Sequence, residues 1–166
     1  MKSNKNEQDD VLQKIKLKYL PYEKKYKLPP FESLDKEFQL YSIDEFSTNL
    51  LYEIRRQITS TLNLMSNFLL PVLSPAEGDI HSLIEASGIK KELKIKMSKL
   101  FKKMQYLNHL GITATLKGEK ETAKFINLLW KQWPLIKKEM IVYAQKITEV
   151  WAKEQRSDKA DVGYLG

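Results

Sequence analysis

The side chains able to do chemistry are few, and their spacing is sparse. The chain of 166 residues has two histidines, His81 and His109, and no cysteine. Without thiols there are no disulfides, no thiolate metal sites and no cysteine nucleophile. His81 and Glu85 stand four residues apart, a spacing that sets two metal ligands on one face of a helix. One such pair falls short of a site, and neither HExxH nor Glu-x-x-His occurs. His81 therefore reads as a capping or surface residue. His109, just before Leu110 and Gly111, reads as a partner for the last carbonyls of a helix. Ser60 and Ser66 have no histidine close in sequence, and Ser82 directly follows His81, where adjacent side chains of a helix do not face each other, so nothing marks a hydroxyl for activation. The six glycines form neither GxGxxG nor GxxxxGK[ST], the loops that cradle phosphates. The expectation is a chain with no catalytic residues, no metal site and no cofactor.

What remains is charge. Residues 90–103, KKELKIKMSKLFKK, place Lys90, Lys91, Lys94, Lys96, Lys99, Lys102 and Lys103 around the stripe Leu93, Met97 and Leu100, with Glu92 the one acid. Three readings compete: a solvated outer face over a core stripe, a track for a phosphate backbone, or a helix lying on an anionic membrane. The membrane reading needs the same apolar stripe that the core needs. The net charge is +7, carried by 28 basic against 21 acidic residues. Arginine stands only at 55, 56 and 156. Arginine does most bidentate reading of bases and phosphates, so a lysine surface predicts attraction without sequence readout. The six lysines 90, 91, 94, 99, 102 and 103 are the candidate nucleic-acid contacts.

A second candidate surface is the back of the segment 42–75. Thr48, Tyr52, Arg55, Thr59, Asn63 and Ser66 lie opposite its apolar arc and form a polar, nearly uncharged face. Either that face is covered within its own domain, or Tyr52, Arg55 and Thr59 meet a partner chain. Tyr22 and Tyr26, alternating with lysines, are further candidates for a partner- or nucleic-acid-binding arm. Against this, apolar anchors such as Phe31, Leu34 and Phe38 favour an arm that fills grooves of its own domain.

The elements that must position these residues are helical. SIDEFSTNLLYEIRRQITSTLNLMSNFLLPVLSP, residues 42–75, opens on Ser42 with Glu45 three residues on, the pattern of a capping box. Ile43, Phe46, Leu50, Ile54, Ile58 and Leu62 then recur at steps of three and four, which at about 100° per residue is one broad arc. Pro71 is expected to stop the helix. A short helix is expected over 76–88, a second long helix over 89–110 capped by Gly111, and a β-prone loop or lone strand over ITATLKG, 112–118. A third helix runs from Glu119 to Trp133 and a fourth from Pro134, the two joined by one kinked helix or a tight corner. Before residue 42, a short helix from Asp9 to Leu20 ends at Pro21, and Pro29-Pro30 favours an extended path.

These readings combine into an all-α chain: an extended N-terminal arm with a short helix (1–41), a bundle domain of three to four long amphipathic helices (42–154) and a frayed tail (155–166). No run of about 18 apolar residues occurs, so no transmembrane helix is expected. The opening MKSNKNEQDD is not a charged-then-apolar leader, and a cytoplasmic location is the default. The functional expectation is a non-catalytic accessory or scaffold subunit that binds nucleic acid, another protein subunit, or both. A protein-only adaptor working through the back of helix 42–70 comes second, and an anionic-membrane-surface protein third.

Overall fold

In the computed structural model the backbone is described from Ser3 to Asp161 and side chains from Asp10 to Arg156. Among the described residues every regular element is a helix: α1 (Ser3–Tyr26), α2 (Phe31–Phe38), a 3-10 turn (Leu40–Ser42), α3 (Leu50–Leu73), α4 (Ile80–Gly88), α5 (Lys91–Leu116) and α6 (Glu119–Asp161). The chain forms two compact units, Met1–Asn63 with Tyr106–Trp133, and Leu64–Gln105 with Pro134–Gly166.

The first unit is built on apolar residues of α1, α2, α3, α5 and α6. Ile15 and Tyr19 of α1, Phe31, Leu34 and Phe38 of α2, and Ile54 and Ile58 of α3 are all buried. The N-terminal region is therefore not an extended arm. Pro21 lies inside α1 rather than ending it, because the stripe Ile15–Tyr19 is covered: the Tyr19 ring packs at a tilt on Phe31, centroids 5.6 Å apart, and its hydroxyl donates to the Pro29 carbonyl at 2.7 Å. One backbone bond lost to the proline is outweighed by burial worth about 1.5–3 kcal/mol per large side chain. Ion pairs tie α1 to its neighbours, Lys16 at mid-helix to Glu32 and Lys25 in the last turn to Glu119 at 2.9 Å. The polyproline path shrinks to the link between α1 and α2, where Lys27 takes a left-handed φ of 52°.

The start of α3 differs from the capping-box reading. Ser42 closes the 3-10 turn, and its hydroxyl donates to the Gln39 carbonyl and accepts from Gln57. Asp44 folds back on the Phe46 N–H, a local bond that competes with helix. The effective cap is Asn49, whose side-chain oxygen accepts from the Tyr52 N–H at 3.2 Å, three residues on as an N-cap requires. Phe46, counted above on the buried arc, is 79% exposed. At the other end α3 continues past Pro71 to Leu73. So close to the terminus a proline removes a single intrahelical bond, and buried Val72 holds the last turn in place.

The stretch 112–118 is neither loop nor strand up to Leu116, since α5 runs straight through Gly111. The reason is a close approach. A Cβ on Gly111 would sit 2.8 Å from Phe125 Cζ and 3.2 Å from Thr59 Cγ2, so the glycine lets α5 meet both neighbours. The real stop is Gly118, at a φ of 101° that only glycine adopts freely; its N–H donates to the Thr115 carbonyl. Helix α6 then runs 43 residues through Pro134, the single-helix alternative, and includes residues 155–161 of the expected tail; residues 162–166 lie outside the described residues.

The second unit packs Leu69 and Val72 of α3, Ala86 of α4, Met97 and Leu100 of α5, and Ile136, Met140 and Ile147 of α6, all buried. Asp79 caps α4 by accepting from the His81 N–H. Gly88 again marks a close approach, because a Cβ there would fall 2.5 Å from Val150 Cγ1.

Candidate functional site

Helix α5 positions the lysine cluster. With Met97 and Leu100 buried, the helix period turns Lys91, Lys96, Lys99 and Lys102 outward. These four, with Lys90 just before the helix, are exposed, while Lys94 and Lys103 are half-buried on its flanks. Leu93 is half-buried too, so the stripe and the charges separate by face as the spacing implies.

Seven lysines within fourteen residues, none of them ion-paired among the described residues, set this stretch apart. Elsewhere Lys14, Lys25, Lys124 and Lys146 sit within 3.1 Å of a carboxylate. Among the described residues, no ion pair within 4.0 Å involves any lysine of 90–103. An unpaired ammonium keeps its full field for a ligand. Lysine presents a hydrated point charge with no fixed fork, so the face offers attraction without base geometry.

The second set of residues has a different fate. Arg55 is only 8% exposed and Thr59 only 7%. Arg55 Nε donates to Thr115 Oγ1 at 3.0 Å, and its guanidinium lies 4.7 Å over the Tyr52 ring. The Thr59 hydroxyl donates to the Arg56 carbonyl. The back of α3 is thus covered at Arg55 and Thr59 within the first unit, while Thr48, Tyr52 and Asn63 are exposed. Asn63 accepts from Asn108, buried on α5. Tyr22 and Tyr26 are half-buried. The Tyr26 hydroxyl donates to Glu119 and its carbonyl accepts from Asn127 at 3.0 Å. That hydroxyl first, and Lys25 second, hold the Glu119 carboxyl below the usual carboxylate range.

His81 and Glu85 do share a side of α4, but both face Trp151 of α6. The Trp151 indole N–H donates to Glu85 Oε1 at 2.8 Å, and the His81 ring lies 5.4 Å from the tryptophan ring. His109 is exposed in the interior of α5, not at its end. Trp133 is a core residue with a polar tether: its ring is 4.6 Å from Phe38 and its N–H donates to Glu37.

Sequence reasoning missed one feature of the second unit. A groove of about 490 Å³ between α5 and α6 brings Leu93, Lys96 and Lys99 opposite Leu135, Lys138 and Val142. Its floor holds Tyr143, buried and donating to Glu139 at 3.2 Å. Burial first, and the Glu139 charge second, push the Tyr143 hydroxyl up to about 12. The periodicity of the fourth helix puts Leu135 on the buried stripe with Ile136, Met140 and Ile147, but Leu135 is exposed, as is Val142 two turns on, because the stripe faces inward at Ile136 and leaves Leu135 at its edge. No protein-family model matches the chain, and neither a curated protein nor a solved structure matches it.

Proposed function

We propose that this chain is a non-catalytic helical interaction protein, an accessory or scaffold subunit of a nucleic-acid-associated complex, that attracts polyanions through the outer face of α5. On this reading the long helices α3, α5 and α6 are the bundle that carries the face, and the protein works in the cytoplasm. The observation that supports it is the run of lysines 90–103 with no carboxylate partner among the described residues. Association through such a face depends on counterion release, so log K should fall by about 0.9 per neutralised phosphate against log salt on duplex DNA. Burial of Arg55 and Thr59 weighs against the protein-only adaptor reading, which needs the back of α3 open.

The test is fluorescence anisotropy with labelled duplex DNA and single-stranded RNA at low and physiological salt. Wild type should bind both without sequence preference. Lys91→Glu/Lys99→Glu/Lys102→Glu should lose binding at low salt while its circular dichroism stays unchanged. No binding by wild type at low salt, or equal binding by the triple variant, defeats the proposal. Loss of a partner subunit on changing Tyr52, with the lysines irrelevant, would restore the adaptor reading.

A further inference from the structure

Beyond the outer face of α5, the geometry points to the α5–α6 groove of the second unit as a docking site for an acidic amphipathic helix of a partner protein. Two aliphatic side chains there are half in water, Leu135 at 52% and Val142 at 42% exposure. They stand seven residues apart on α6, about 10 Å along the axis at 1.5 Å per residue. That is the interval at which a second helix presents its own i and i+7 anchors. Leu93 closes the opposite wall.

Charge selects the occupant. Lys96, Lys99 and Lys138 rim the groove against one carboxylate, Glu139, and among the described residues none of the three lysines has an ion-pair partner. Glu139 is already engaged by the Tyr143 hydroxyl. The rim therefore offers a surplus of positive charge beside an apolar strip, complementary to a helix with leucines on one face and glutamates along its flanks. A nucleic-acid strand makes poor use of this strip, because aliphatic side chains give its bases no aromatic platform and the groove's one ring, Tyr143, is buried.

The probe is a fluorescein-labelled synthetic helix with Leu at steps of three and four and Glu on both flanks. Controls are the Glu-to-Lys version of that peptide and a duplex oligonucleotide. Wild type should bind the acidic peptide saturably with a Kd below about 1 mM, and should not bind the lysine version. Leu135→Lys/Val142→Lys should weaken peptide binding at least tenfold while duplex binding stays equal or rises, since the variant adds positive charge. Lys138→Glu, a surface change away from the outer face of α5, should weaken the acidic peptide severalfold and begin to admit the lysine version. Failure of the acidic peptide to bind wild type overturns the inference, as does equal loss of duplex binding in Leu135→Lys/Val142→Lys. Two further results overturn it in favour of another occupant. One is self-association by sedimentation, the other binding to phosphatidylserine vesicles, each lost in that double variant without peptide binding by wild type. Binding of the acidic peptide by wild type does not require duplex binding through Lys91 and Lys102, so the failure of one reading is seen separately from the failure of the other.

Discussion

Ile58 illustrates how far one side chain's spacing carries. It falls on the apolar arc of α3 and is fully buried. Ile58→Ala should cost about 2–5 kcal/mol, transfer energy plus a cavity term, measured by urea unfolding; a loss below about 1 kcal/mol would place it outside the core. Leu50, Ile54, Leu100, Met104, Ile126 and Ile147 are buried as their periodicity implies. Met65, Trp130 and Trp151 are only half-buried. The tryptophans are the instructive cases, because Trp151 needs a partner for its N–H and finds Glu85 near the edge of the apolar layer. Tyr143 makes a pH prediction. Its folded-state value is raised to about 12, above the ordinary value near 10. Below pH 10 both states keep the proton and nothing is lost. Between about pH 10 and pH 12 the unfolded state ionises first, so this contribution to stability drains away as pH rises. Tyr143→Phe should therefore flatten the alkaline fall in denaturation midpoint relative to wild type, at a cost near pH 7 of about 1 kcal/mol for the hydrogen bond. Parallel slopes for the two proteins would show that the hydroxyl is not protected.

At the scale of elements, Pro21, Pro71 and Gly111 do not end the helices they were expected to end, and Pro134 lies inside a single helix, one of its two expected outcomes. Pro21, Pro71 and Pro134 lie inside helices, and Gly111 is a contact rather than a cap. Local rules assign a breaker a cost of roughly 1 kcal/mol for glycine and about 3 kcal/mol for proline, and burial of neighbouring apolar side chains exceeds it. Pro134 gives the cleanest test, since it is exposed and its neighbours Trp133 and Ile136 are buried. Pro134→Ala restores an N–H donor for the preceding turn and removes the ring clash. The thermal midpoint should rise, with a gain of up to about 3 kcal/mol. A lower midpoint would mean that the packing of α6 is fitted to the backbone path its proline imposes.

For the whole molecule the governing quantity is the +7 charge and its uneven pairing. Lysines crowded along α5 without carboxylate partners repel one another. Lys91→Glu/Lys99→Glu/Lys102→Glu removes that repulsion and sets Glu at 99 four residues before Lys103, an i, i+4 pair worth a few tenths of a kcal/mol. The triple variant should be at least as stable as wild type at low salt. The two should converge near 1 M salt, where the screening length is about 3 Å. A variant markedly less stable at low salt would show that these lysines hold the fold together. That result would also remove the basis for reading them as a free surface.

The sequence by itself determined that the described chain is helical, which faces of α3 and α5 are apolar, and that the lysines of 90–103 stand apart from the stripe beneath them. Those properties follow from periodicity, a local and repetitive signal that many residues report together. Only the tertiary structure decided where helices begin and end, because a cap such as Asn49 or a contact such as Gly111 with Phe125 depends on which competing bond or neighbour wins. It decided too that Arg55 and Thr59 are spent inside the first unit. The groove between Leu93, Lys96 and Leu135, Lys138 is likewise a product of tertiary structure. Residues some forty positions apart become one surface only when two helices pack, and no local pattern in either helix records its neighbour.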